Sequence, residues 1–302
     1  MKLLKMKRVW IPASALILFV SLFYTWWVFL SIPALPLPPY NYTGLHNGFL
    51  KNDQFVVGAN YPWINYGSDF GTNDWGHIGL SEPKNTAALD QDFLWFEEHD
   101  IHLVRWFVFC DGRSGLVFNS DGSVKGLDPY VFKDMDLAVA AAKKHNIMIM
   151  FVLLDFSLLD APKVYGKVQV GGHGELIRNP KLRRTFFDNA LKPLLSRYGT
   201  DGAIVAWEVM NEPEWATKVW GGGQEKQSVA LFRMQEFVRE TAEIIHENSA
   251  QAVTVGCARR NWLFIWKDLG LDFYQYHYYP CGWRMAPTTT TRWHDCILMR
   301  RV

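Results

Sequence analysis

The stretch WEVMNEPEW, residues 207–215, closes an apolar run that begins at Ala203. AIVAWEVMN, 203–211, has the length and composition of a strand buried on both faces, and Pro213 has no N–H with which to continue a sheet ladder. Asn211 and Glu212 therefore stand where a strand ends. On either side of it, strand-like runs alternate with amphipathic helical ones. FVVGANY (55–61), IHLVRWFVF (101–109) and IMIMFVLLDF (147–156) come before it; AVTVGCA (252–258) and LDFYQYHYY (271–279) come after. The segments 84–99, 128–145, 180–197, 225–247 and 259–268 read as helices, the second with Asp128 as its cap and lysines near its end. Six strands alternating with helices predict a parallel sheet with right-handed crossovers. Such a sheet closes into a (β/α)8 barrel or stays open and doubly wound. No G-x-G-x-x-G follows the first strand, which weakens the nucleotide-binding version. The stretch 157–178 is long for a connection, and loops at that end of a barrel carry function.

Composition narrows the function classes. Lysine plus arginine is 31 and aspartate plus glutamate 30, so no basic surplus steers the chain onto nucleic acid. The 14 tryptophans are expected mainly in the core, with some free for flat sugar-stacking surfaces. Cys110, Cys257, Cys281 and Cys296 form no C-x-x-C pair. Cys110 and Cys257 fall inside strands and read as buried apolar residues; a Cys281–Cys296 bridge stays open. The histidines are scattered, with no H-x-H or H-E-x-x-H pair, so neither a metal nor another cofactor is expected.

Residues 9–32, VWIPASALILFVSLFYTWWVFLSI, carry no charge and exceed the roughly 20 residues that span a bilayer. Lys2, Lys5, Lys7 and Arg8 precede them, and the next charge is Lys51. This pattern predicts a cytoplasmic stub at 1–8, a transmembrane signal anchor at 9–32 and an extracytoplasmic remainder. The alternative is a secreted protein released by signal cleavage, but a signal core is shorter, about 7–15 residues, and no good small-x-small site is present. Residues 33–50 form a linker that opens with PALPLPPYNYTG, a semi-rigid spacer with a glycosylation sequon at Asn41. The main domain is expected over 51–280, followed by a divergent tail, 281–302.

Three clusters carry chemistry. Glu212 at a strand end is suited to protonating a glycosidic oxygen if its surroundings raise its pKa, and Asn211 to binding a sugar 2-hydroxyl. Arg105 interrupts an apolar strand, and a buried arginine needs a carboxylate or several acceptors. His277 and Tyr279 lie two apart, on one face of the last strand. With these residues in place, WEVMNEP, VRW (104–106) and YQYHYYP (274–280) resemble the clan A (β/α)8 retaining glycosidases, most of all glycoside hydrolase family five, the cellulases and β-mannanases. The first-strand segment GANYPWINYGSDFG is similar to the opening of bacterial members. The resemblance covers about residues 55–280 and implies a TIM barrel acting on a β-linked polysaccharide, with Glu212 as acid/base and Asn211 as 2-hydroxyl partner. It also implies Arg105 as a support for the catalytic carboxylates, with His277 and Tyr279 around the cleaved bond. Trp63, Tyr66 and Trp215 follow strands one and four and are candidates for stacking on sugar faces or, equally, for packing at the rim.

The family also has a second glutamate at the end of a seventh strand, which attacks the anomeric carbon. Here no glutamate follows Glu247, and after the sixth strand come CGWRMAPTTTTRWHDCILMRRV, with Asp295 as the late carboxylate. The expectation is an incomplete barrel of about six βα units, truncated at its C-terminal side, with exposed edges at strands one and six and no normal retaining activity. Its alternative is a cell-surface carbohydrate-binding protein without catalysis.

Overall fold

The computed structural model describes residues 21–22, 56–218, 228–278 and 297–300. The chain divides into two compact units, Met1–Leu37 and Pro38–Val302, and the sheet belongs to the second. The predicted span 9–32 (apart from Ser21 and Leu22), the linker 33–50, and Tyr279, Cys281, Asp295 and Cys296 lie outside the described residues. Among the described residues no helix is long and apolar enough to cross a membrane.

Six strands lie side by side in chain order, all parallel: β1 (Gly58–Asn60), β2 (Leu103–Phe107), β3 (Met148–Asp155), β4 (Ile204–Asn211), β5 (Ala252–Cys257) and β6 (Tyr274–His277). The connections pass through α1 (Pro83–Glu98), α2 (Val131–Lys144), α3 (Pro180–Phe186) with α4 (Lys192–Tyr198), α5 (Leu231–Asn248) and a 3-10 helix, Arg260–Trp266. The result is a partial (β/α)8 barrel. Residues 149–155 of β3 are buried throughout, as the unbroken apolar run requires of a central strand covered on both faces. The tail differs from expectation: β7 (Ile297–Arg300) pairs antiparallel with β6, and its Cα atoms come within 8 Å of those of β1. The predicted bare edge at strand six is therefore covered.

Local chemistry explains the other departures. Asp128 does not cap α2, which starts three residues later; its carboxylate accepts the N–H groups of Tyr130 and Thr72 instead. The helix predicted over 180–197 contains a π turn, Phe187–Leu191, between α3 and α4. Pro193 has no N–H to give the Asn189 carbonyl, and a widened turn takes up the misfit. The long connection 157–178 holds a hairpin, Lys163–Tyr165 with Val168–Val170. Cys110 and Cys257 are buried and free, as expected.

The loop after β1 is held down by Asp69. This buried carboxylate accepts the backbone N–H groups of Ile64 (2.7 Å) and Asn65 (2.6 Å) and the indole N–H of Trp106 (2.8 Å). Burial pushes its pKa from the ordinary 3.8 up to about 6. The folded protein thus holds this proton more tightly than the unfolded chain. The group's stabilising contribution is complete below pH 3.8 and is lost as pH rises through about 6. In Asp69→Asn that slope disappears, so the variant's melting temperature gains on wild type as pH rises from about 4 to 7. A constant gap over that range contradicts the assignment.

Candidate active site

The parallel barrel brings the C-terminal ends of its strands to one mouth. Beneath that mouth lies Arg105, 3 % exposed, in β2. Its Nε donates to Glu208 Oε2 of β4 at 2.7 Å, and its Nη2 donates to Glu208 Oε1 and to Asn211 Oδ1, the latter at 2.8 Å. Nη1 reaches Asn60 Oδ1 of β1 at 3.0 Å. Gln275 of β6 donates to Glu208 Oε2 at 2.7 Å, and Asn211 Nδ2 donates to Asp155 of β3 at 2.6 Å. One polar network thus joins five strands. Arg105 was expected to support the catalytic carboxylates; the carboxylate it holds is Glu208, which the sequence reading passed over, and not Glu212. The signal was present, since a buried arginine demands an acceptor and Glu208 is the carboxylate inside the otherwise apolar β4.

Glu212 follows directly. Its backbone is left-handed (φ 45°, ψ 48°), a conformation costing a non-glycine residue roughly 1–3 kcal/mol. The pairing of β4 with β5 shifts register between Glu208 and Asn211, and the Glu212 N–H donates to the Gly256 carbonyl at 2.6 Å. Both carboxylate oxygens are engaged. Oε1 lies 2.7 Å from His277 Nδ1, and Oε2 accepts the Trp215 indole N–H at 2.8 Å. The other ring nitrogen of His277 is buried with no partner among the described residues. Asp155, which also accepts from the N–H and hydroxyl of Ser157, has its pKa raised by burial first and by the charge of Glu212 in addition.

The structure therefore brings Glu212, Asn211, Arg105 and His277 together; Tyr279 is outside the described residues. Trp215 was a stacking candidate. Its indole edge is turned to Glu212, and its ring meets Trp262 edge-on at 5.2 Å with the Arg259 guanidinium over both rings. Trp63 and Tyr66 pack on each other at 4.3 Å, and Arg113 lies over Tyr66. Burial raises the Tyr66 phenol to about 12, with the charges of Asp111 and Asp155 adding to the effect. Two exposed aromatics join them on neighbouring mouth loops: Trp75, 44 % exposed, donates its indole N–H to the carbonyl of Tyr165, 54 % exposed, on the 163–170 hairpin. Among the described residues no cluster of histidine, cysteine and carboxylate side chains could hold a metal ion.

The chain is 30% identical over 182 residues to a mannan endo-1,4-β-mannosidase of Mytilus edulis, a match covering 59% of this chain and 43% of that protein. The solved β-mannanase of the same mussel superposes with a TM-score of 0.60 at 25% identity, covering 74% of this chain and 69% of that one. An endo-1,4-β-mannanase of Eisenia fetida shares the fold with a TM-score of 0.62 at 24% identity, over 75% of this chain and 69% of its own. The chain's homologues are β-mannanases. Its fold is the one these β-mannanases share. The chain spans well under two thirds of the curated relatives it matches. No family model matches it.

Gly256 sits in β5 opposite Gln275. A Cβ there would collide with Glu208 Oε1 and lie 3.1 Å from Arg105 Nη2. Gly256→Ala is therefore expected to lose about 1–3 kcal/mol or more, read by thermal or denaturant unfolding. Gly202→Ala, where nothing lies within 4 Å of the added methyl, serves as the neutral control. Equal stability of the two variants contradicts the packing of the network.

Proposed function

We propose that the barrel is a β-mannan-directed glycoside hydrolase domain in which Glu212 is the acid/base of a retaining reaction. The observation that carries this reading is Glu212 itself: a carboxylate in a left-handed conformation at a strand end, held by His277 and Trp215 above the Arg105–Glu208 network. The mannanase homologues support the substrate class. In this mechanism Glu212 gives its proton to the leaving glycosidic oxygen while a second carboxylate bonds to the anomeric carbon. Glu212, now ionised, then takes a proton from the water that displaces that carboxylate. The His277 ring, hydrogen-bonded to Oε1, holds Glu212 in place for both half-reactions. Asn211 has one amide hydrogen committed to Asp155, which leaves the other for a sugar 2-hydroxyl. Trp63, Tyr66, Trp75 and Tyr165 offer rings to the polymer along the loops after β1 and β3.

Neither Glu208, tied to Arg105 and Gln275, nor Asp155, tied to Asn211 and Ser157, is free to attack. The described residues therefore supply the acid/base half of the site, and the 302-residue chain is proposed to bind mannan without turning it over. The uncharged segment 9–32 behind four basic residues supports a membrane anchor with the barrel on the extracytoplasmic side.

The test is affinity electrophoresis of the full chain through galactomannan, with reducing-end release measured in parallel. The chain is expected to be retarded by galactomannan but not by hydroxyethylcellulose, to lose retardation in Trp63→Ala with Tyr66→Ala, and to release no reducing ends. Absence of retardation overturns the mannan reading. Reducing ends that vanish in Glu212→Gln would show that this chain also carries the nucleophile.

A further inference from the structure

A second glutamate in the same turn is used by none of these steps. Glu214 is fully buried, two residues after Glu212, in the 3-10 turn Pro213–Ala216. Its Oε1 accepts the Trp266 indole N–H at 2.6 Å and its Oε2 accepts the Ala258 N–H at 3.2 Å. The buried thiol of Cys257 donates elsewhere, to the Arg259 carbonyl at 3.1 Å. Among the described residues no arginine, lysine or histidine forms an ion pair with this side chain. A carboxyl placed out of water with indole and amide partners and no cation is costly, and its pKa is raised by that burial. Glutamine or leucine would fill the same space at less cost, so the arrangement calls for a role.

The contacts supply one. Ala258 follows β5 directly and Trp266 ends the helix that comes next, so Glu214 fastens the turn after β4 to the connection after β5. Among the described residues the turn is also held by Trp215 N–H to the Glu212 carbonyl, Thr217 to the Glu214 carbonyl and the Thr217–Val229 bridge, and it packs beside residues 156–159. The next residue, Trp215, points its indole N–H at Glu212 Oε2 and rests against Trp262, which belongs to the same connection as Trp266. We infer that Glu214 is a positioning residue: by pinning the Pro213–Ala216 turn to Ala258 and Trp266, it holds the Trp215 indole on Glu212 and so sets how readily Glu212 gives up its proton. This rests on the reading of Glu212 as the acid/base. An N–H donated to a carboxylate favours its ionised form, so a slackened Trp215 leaves Glu212 holding its proton to higher pH. Among the described residues the titratable groups that face Glu212 are His277 of β6 and Asp155 of β3, and neither is hydrogen-bonded to Glu214.

The experiment reads the Trp215 indole N–H in the full chain by 15N–1H correlation spectroscopy without any sugar, so it does not depend on whether mannan binds. The resonance is assigned by its loss in Trp215→Phe, and its pH titration is tied to Glu212 by its disappearance in Glu212→Gln. In Glu214→Gln, which keeps the size of the side chain, the titration midpoint of the Trp215 signal is expected to rise by about half a pH unit or more. Exchange of that indole hydrogen with solvent is expected to quicken about tenfold, the loss of one hydrogen bond. The buried indoles of Trp106 and Trp207 should stay in place, showing that the core is intact. Trp266→Phe, which removes one partner of Glu214 and leaves the carboxyl, should move the Trp215 midpoint in the same direction and decides the matter if Glu214→Gln does not fold. An unchanged Trp215 midpoint and exchange rate, with only the Trp266 signal displaced in Glu214→Gln, overturns the proposal.

Discussion

A guanidinium and a carboxylate withdrawn from water and laid against each other, Arg105 on Glu208, are what the rest of this site depends on. Taking both ions out of water costs several kcal/mol each, and attraction returns that only where geometry is good and the remaining polar atoms are bonded. Here the contact is two-pronged, and the spare donors and acceptors go to Asn60, Asn211 and Gln275. Satisfying this one pair fixes side chains on β1, β2, β4 and β6, and it explains why position 256 on β5 is glycine: the carboxylate occupies the space a methyl would need.

The pair also fixes the mouth. Asn211 is oriented by Arg105 on one side and Asp155 on the other, and the next residue is Glu212 in a strained backbone conformation. Strain at a strand end persists only where surroundings over-determine it. Four contacts do so here: Gly256 on the backbone N–H, Trp215 and His277 on the carboxylate, and the turn held by Glu214 behind them. The position of this carboxylate is therefore governed by neighbours from two different strands and from its own turn.

Much of the fold was readable from local pattern because central barrel strands are buried on both faces and show as apolar runs; β3 and β4 lie within a residue or two of their expected limits. N-E-P at a strand end located Glu212 at the end of β4, and His277 stands on the last parallel strand, where the sequence pattern put it. What was not readable depends on closure of the sheet. Arg105 and Glu208 are 103 positions apart, and nothing near either residue says which carboxylate the arginine meets. Trp215 read equally as a stacking surface or as rim packing, because an aromatic after a strand end is ambiguous until the turn's direction is known. Asp128 bore a cap signature but serves Thr72, 56 positions away. The hairpin at 163–170 is built from short, exposed strands without an apolar run to mark them.

The most direct measurement is a double-mutant cycle on Arg105→Met and Glu208→Met, followed by denaturant unfolding. Each single variant leaves a buried charge without its partner and should lose about 3–5 kcal/mol. The double variant, with no charge to strand, should be clearly more stable than the sum of the two losses predicts. Losses that add to within about 0.5 kcal/mol would mean the two residues act independently, and the account of the site as built on their contact would fail.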